Sequence, residues 1–273
     1  MKKSVIGALA ILSSVVALPT SAKETISAVG SSSVTPLMEV FSETYMKEHS
    51  NVFIEVQGPG SSAGVKAAKN GSADLGMSSR NLKSSEKEPA LKELIVAHDG
   101  IAIVVNPSNK LKGLTSEQVT AIYKGEVKNW KEVGGADKPV VVITRDTASG
   151  TRGAFEDIMS LKKKVSGMKV SAISQRAQVA NGNGALKTMV ASNPYAIGYI
   201  SLGTVDSSVH ALAIDNVEPS SPHYYDGKFQ NSVHSEPPSL GKTLGIFARY
   251  FTEKKVDAVP NERVPVQPVT REQ

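Results

Sequence analysis

Apolar positions follow two rhythms along this chain, and the change from one to the other repeats. Ile26 to Val29 is a short apolar run that enters the turn Gly30-Ser31-Ser32-Ser33. Leu37, Val40, Phe41 and Tyr45 then recur near 3.6-residue spacing, which predicts a helix with that apolar face. Val52, Ile54 and Val56 alternate as a strand and lead into Gly58-Pro59-Gly60-Ser61-Ser62, followed by a short Ala-rich helix expected to stop at Asn70-Gly71. Val140 to Thr144 reads as a buried strand entering Arg145-Asp146-Thr147-Ala148-Ser149-Gly150-Thr151, and its helix carries Phe155, Ile158 and Met159. Ile101 to Val105 and Ala196 to Ile200 are further buried-type strands. Between them the capping box Thr115-x-x-Gln118 opens another helix.

Strands alternating with helices predict an α/β fold with a largely parallel sheet. The runs at 101–105 and 196–200 read as crossover strands between two lobes. Residues 23–100 then form the first part of lobe 1, residues 101–200 form lobe 2 with the crossovers at its ends, and residues 201–273 return to lobe 1.

Composition narrows the function classes. With 40% hydrophobic and 21% charged residues in 273, the chain can bury a core of this size. Aromatics at 5% offer little stacking surface for single-stranded nucleic acid. Residues 1–22 have the make-up of a cleaved signal peptide: basic Lys2 and Lys3, apolar Val5 to Leu12 and Val15 to Leu18, then Pro19 and the small residues Thr20-Ser21-Ala22. Without Lys2 and Lys3 the side chains count 29 basic against 26 acidic, a net +3, too mild for a nucleic-acid binder. Lys162-Lys163-Lys164 reads as a solvated helix end. The chain has no cysteine, hence neither a disulfide nor the cysteine a bacterial lipid anchor requires, so a soluble, monomeric protein of the periplasm is expected.

The three Gly- and hydroxyl-rich corners carry the candidate chemistry. A helix N-terminus has unpaired N–H groups and the positive end of the helix dipole, and small residues there let an anion come close. Ser and Thr are also ordinary N-caps, so one such corner says little. Three of them can converge, because ligands of α/β folds sit beyond the carboxyl ends of the strands. Micromolar binding takes about 8 kcal/mol, against roughly 1.5–3 kcal/mol per hydrogen bond to a charged group. Three corners plus the guanidinium of Arg145 reach that; one cap does not.

These segments resemble the phosphate-binding proteins of bacterial high-affinity phosphate importers, in particular the shorter branch of that family. The resemblance runs from Thr25 to about Val217. It rests on Arg145-x-x-x-Ser149-Gly150-Thr151, Gly30-Ser31-Ser32-Ser33-x-x-Pro36, Gly58-x-Gly60-Ser61-Ser62-x-Gly64 and Asn193-Pro194-x-Ala196-Ile197-Gly198-Tyr199. It implies the two-lobed periplasmic binding fold of type II, with crossover strands as the hinge. It also implies phosphate as ligand, no cofactor, no catalytic step, and the permease of an ATP-binding cassette importer as partner. Carried over by position, Ser32, Ser33, Ser61, Ser79, Arg145, Ser149, Gly150 and Thr151 would hold the anion.

Two departures stand out. Some relatives have an aspartate where this chain has Ser79, so a carboxylate to accept from protonated phosphate and repel sulfate must lie elsewhere; Asp146 and Glu156 are candidates. Neighbouring Arg80 is either a second cation or an anchor for its loop. The tail after Val217 is rich in proline and shows no counterpart of the strand that completes lobe 1 in relatives. Leu244, Phe247, Ala248 and Phe251 there suggest an amphipathic helix.

Rival readings are a binding protein for sulfate or molybdate and a serine hydrolase. The latter rests on Gly60-Ser61-Ser62-Ala63-Gly64, which matches a nucleophile elbow with Ser62 as nucleophile and His210, His223 or His234 as base. Histidine spacing shows no metal site, and Asp99 reads as a turn residue before the Ile101 strand.

Overall fold

The computed structural model describes residues 23–219 and the backbone of 241–248; the expected leader and the remaining tail lie outside the described residues. Chain order is β1 (Glu24–Gly30), α1 (Thr35–Glu48), β2 (Val52–Gln57), α2 (Ser61–Asn70), β3 (Leu75–Ser78), β4 (Lys92–Val105), β5 (Gly113–Leu114) and α3 (Ser116–Lys124). Then follow β6 (Val141–Arg145), α4 (Gly150–Ile158), β7 (Lys162–Val165), β8 (Met168–Ser171), β9 (Gln178–Ala180), α5 (Gly182–Ala191), β10 (Ala196–Ser201), β11 (His210–Ala211), β12 (Ala213–Ile214) and β13 (Gly241–Ala248).

One mixed sheet runs β2-β1-β3-β13-β4-β10-β6-β9. β1 is parallel to β2 and β3, and β6 is parallel to β10 and β9, as βαβ units require. The fourteen-residue β4 joins the two halves. Its Lys92–Gly100 stretch pairs with β13 and its Ile101–Val105 stretch with β10. Alternation sends Ile101, Ile103 and Val105 into a core with Tyr123, Phe155 and Tyr199, and Ala102 and Val104 into a second core with Ile143, Leu186 and Val190. Both faces are covered, which is why this stretch reads as an unbroken apolar run. The first half has its own core of Ile26, Ala28, Val34, Met38, Val52, Ile54, Leu75 and Met77.

Four expectations are corrected. The tail segment with Leu244, Phe247 and Ala248 is strand β13, bonded between β3 and β4, and not a helix. Its Gly241 and Gly245 disfavour helix, and pairing along both edges satisfies its backbone as a strand. Val40 is 58% exposed, and α1 packs instead through Met38, with Phe41 and Tyr45 partly buried. Lys162 to Lys164 form β7, one arm of a hairpin with β8. Positive φ at Ser160 ends the preceding helical turn, and Ser166-Gly167, both with positive φ, make the tight reversal. Asp99 lies inside β4, buried, and its carboxylate accepts from the Ser201 hydroxyl of β10 at 2.5 Å. A strand that spans both halves leaves no room for a turn there. The capping box of α3 is present, with Gln118 N–H donating to Thr115 Oγ1 at 3.2 Å.

Candidate functional site

Four strand-to-helix corners meet where the two halves of the sheet face each other. In the first half, β1 ends at Gly30 and the chain turns through Ser31, whose hydroxyl accepts from Ser33 N–H at 3.1 Å. β2 leads to Gly60 and the start of α2. In the second half, β6 ends at Arg145 and reaches α4 through Ser149, while β9 reaches α5 through Asn181-Gly182-Asn183. Of the helices at these four corners, α4 alone has a side-chain cap, Ser149 Oγ accepting from Arg152 N–H at 3.1 Å. The first turns of α1, α2 and α5 have none. Ser32, Ser33 and Ser61 are therefore not there as caps, which removes the ordinary structural reason for them.

A chain of contacts crosses between the halves. Arg145 Nη2 donates to Ser32 Oγ at 3.3 Å and Nη1 to Asn183 Oδ1 at 2.9 Å. Asn183 Nδ2 donates to Ser33 Oγ at 2.9 Å, and Ser33 Oγ lies 3.0 Å from Thr151 Oγ1. Ser62 N–H donates to Ala148 O at 3.0 Å. Ser79 N–H donates to Ser61 Oγ at 3.1 Å, with the two hydroxyls 3.5 Å apart. Gly150 packs directly on that pair: a Cβ there would sit 2.1 Å from Ser61 Oγ and 2.7 Å from Ser79 Oγ, so only glycine fits. Seven of the eight residues named from the sequence thus converge on one place, and Ser149 adjoins them through Gly150 while its own hydroxyl caps α4. Asn183 joins them unforeseen. Its signal was the Asn-Gly-Asn turn after Val179-Ala180, a fourth corner of the same kind.

Arg145 sets the electrostatics. It is 1% exposed, and burial pushes its pKa below the ordinary value, with Asp146 and Tyr199 opposing that shift. Its nearest carboxylate, Asp146 Oδ2, is 4.0 Å away, and among the described residues its Nε has no hydrogen-bond partner. A guanidinium so buried and so loosely countered has both charge and a donor to spare for an anion. Around it stand buried hydroxyls that can donate. Tyr199 supports it from behind: its hydroxyl accepts from Arg145 N–H at 3.2 Å and lies 2.8 Å from Thr144 Oγ1, while burial drives its pKa up to about 12, so it stays neutral.

Arg80 is the loop anchor of the two alternatives. It donates to both carboxylate oxygens of Glu86 at 2.7 and 2.8 Å, to Asn81 O at 3.0 Å and to Ser62 Oγ at 3.2 Å. Of the two candidate carboxylates, Glu156 is held by Arg152 Nε at 2.8 Å, so Asp146 is the one beside the guanidinium. Ser62, the hydrolase candidate, has Arg80 as partner. His210 Nε2 lies 3.2 Å from Leu111 O, and His223 and His234 fall outside the described residues.

Comparison with known proteins places these features in context. A family model described as a PBP superfamily domain matches residues 16–249. A phosphate-binding protein PstS of Bacillus subtilis is 28% identical over 249 residues, covering 88% of this chain and 79% of its own. A crystal structure from Clostridium perfringens, described as a phosphate ABC transporter substrate-binding protein with bound phosphate, is 36% identical with a TM-score of 0.75; the match covers 86% of this chain and 91% of that one. An ABC-type phosphate transport receptor from Vibrio cholerae is 38% identical with a TM-score of 0.66, covering 85% and 91%.

Proposed function

Because the chain belongs to the PBP superfamily and has its two-lobed α/β fold, we propose that it captures inorganic phosphate in the periplasm and delivers it to the permease of an ABC importer. The observation that carries this reading is the buried Arg145, incompletely countered and ringed by Ser32, Ser33, Thr151 and Asn183 from both halves of the sheet. The names of relatives in Bacillus subtilis, Clostridium perfringens and Vibrio cholerae support the same ligand and the same kind of partner.

Lobe 1 comprises residues 23–100 together with β13, and lobe 2 comprises 101–200; the start of the segment expected to return to lobe 1 stays with lobe 2, where β11 pairs with β4, β12 pairs with β5, and Leu212 and Ile214 share the core of Tyr123 and Phe155. Helix dipoles, hydroxyls and Arg145 compensate the lost hydration of the anion, and lobe closure about β4 and β10 brings the two sets of donors onto it. The protein works as a monomer without a catalytic step, a metal or nucleic acid. The leader at 1–22 is removed on export.

Ser79 is neutral where some relatives carry a charged acceptor, and the remaining carboxylate, Asp146, is partly exposed. Discrimination against sulfate is accordingly weaker than in aspartate-bearing relatives. Calorimetric titration of the chain from Lys23 onward tests both points. Phosphate and arsenate should bind in the micromolar range or tighter, and sulfate in the millimolar range. Absence of heat with phosphate refutes the ligand; absence of any sulfate binding at millimolar concentration refutes the selectivity argument.

A further inference from the structure

The β7–β8 hairpin stands apart from the main sheet and pairs only with itself. Its base is set in the core by Leu161 and Ile173, both buried, and by Ala172 N–H donating to Leu161 O at 2.7 Å. From there it projects into solvent. The register pairs Lys162 with Ser171, Lys163 with Val170, Lys164 with Lys169 and Val165 with Met168. Alternation therefore puts Lys162, Lys164 and Lys169 on one face, and Val165, Met168 and Val170 beside Lys163 on the other. Val165 and Met168, at the apex, are 47% and 66% exposed.

Neither arrangement serves the isolated fold. Like charges directly opposite each other, as Lys164 and Lys169 are, destabilise a strand pair, and a two-stranded hairpin is marginal in water to begin with. Lys162 is met by Asp157, but Lys163, Lys164 and Lys169 take part in none of the ion pairs among the described residues. We propose that this hairpin is a weak, reversible docking finger for an anionic phospholipid surface, the apex resting at the acyl boundary and the lysines reaching back to the headgroups.

The chemistry selects lipid over an acidic protein surface. A protein partner would answer the lysines, yet a convex finger offers it no groove, and the apolar apex would gain only where headgroups give way to hydrocarbon. Lysine stems lie along such a boundary while their ammonium groups stay among the phosphates. Each lysine near an anionic surface strengthens partitioning about five-fold, and salt screens the effect. Such contact holds a shuttling protein near a membrane without fixing it there. The inference is independent of the phosphate reading, since vesicle binding requires no ligand in the cleft.

The test is co-sedimentation of the chain from Lys23 onward with vesicles of phosphatidylglycerol and phosphatidylcholine, against phosphatidylcholine alone. Binding is expected to the anionic vesicles only and to vanish at 0.5 M salt (about a 4 Å screening length). Replacing Lys163, Lys164 and Lys169 together by Gln should lower the partition coefficient by about a hundred-fold. Met168→Ser with Val165→Ser should lower it several-fold. Because the Gln variant relieves the Lys164–Lys169 opposition, its melting temperature should hold or rise, and phosphate affinity should not change. Equal sedimentation with neutral vesicles, or unchanged partitioning of the Gln variant, overturns the proposal. So does a Gln variant that loses importer capture in neutral nanodiscs while its vesicle binding is intact, which would assign the finger to a protein partner. Vesicle binding by a chain that fails to bind phosphate would sink the proposed function and leave this inference standing.

Discussion

Arg80, just beyond β3, and Arg145, at the end of β6, both leave a strand beside a hydroxyl-rich corner, and their charges are met in different ways. Arg80 has a bidentate carboxylate and two further acceptors, so its positive charge is spent within its own loop. Arg145 has an amide oxygen, a hydroxyl and a carboxylate no nearer than 4.0 Å. Proximity to a binding corner thus does not make a cation a ligand group. The difference lies in what already answers its charge.

Removing Arg145 should have the largest effect on this contrast. Arg145→Ala should weaken phosphate binding at least about a hundred-fold, the loss of two charge-assisted hydrogen bonds, with native melting behaviour retained; calorimetry with an unchanged dissociation constant would end the assignment. Gly150→Ala comes next, since its methyl would displace Ser61 and Ser79. Affinity should fall tens of fold, and a normal constant in that variant would show the corners are not in contact when ligand binds. Thr151→Val removes one donor and should cost about ten-fold.

Arg80→Met should leave phosphate affinity within about three-fold while lowering the melting temperature; a collapse in affinity instead would make Arg80 a second ligand cation. The smallest effect is one of pH. Burial works to raise the Glu86 pKa, but hydrogen bonds from Arg80 and Lys83 and their charges prevail, so it ends below the ordinary value. A carboxyl depressed in the folded state stabilises at neutral pH and loses that contribution as acid takes the pH down through its folded value. The stability gap between the parent and Glu86→Gln should therefore shrink on acidification, as denaturant titrations at neutral and acid pH will show.

Much of the first and middle portions was legible because strand, corner and helix repeat in sequence order and each corner announces itself by Gly and hydroxyls. Asn183 was harder, since its corner has no hydroxyl to mark it. Arg80 could not be assigned because its partner, Glu86, is chosen by a loop whose path no periodicity encodes. β13 was missed for a related reason: Leu244, Phe247 and Ala248 happen to fall at helical spacing, and what decides their state is pairing with β3 and β4, far away in the chain. The lysine run was misread because its hairpin is made by backbone reversal at Ser166-Gly167 and not by side-chain pattern.

The placement of β13 has a consequence for how the molecule comes into being. The gap between β3 and β4 is filled by β13, which is synthesised after the whole middle of the chain, so the N-terminal half cannot close its sheet while the ribosome is still at work on that middle. Pairings this distant are slow to form. Until β13 arrives, β3 and β4 each present an unpaired edge, open to wrong partners for as long as the middle of the chain takes to be made.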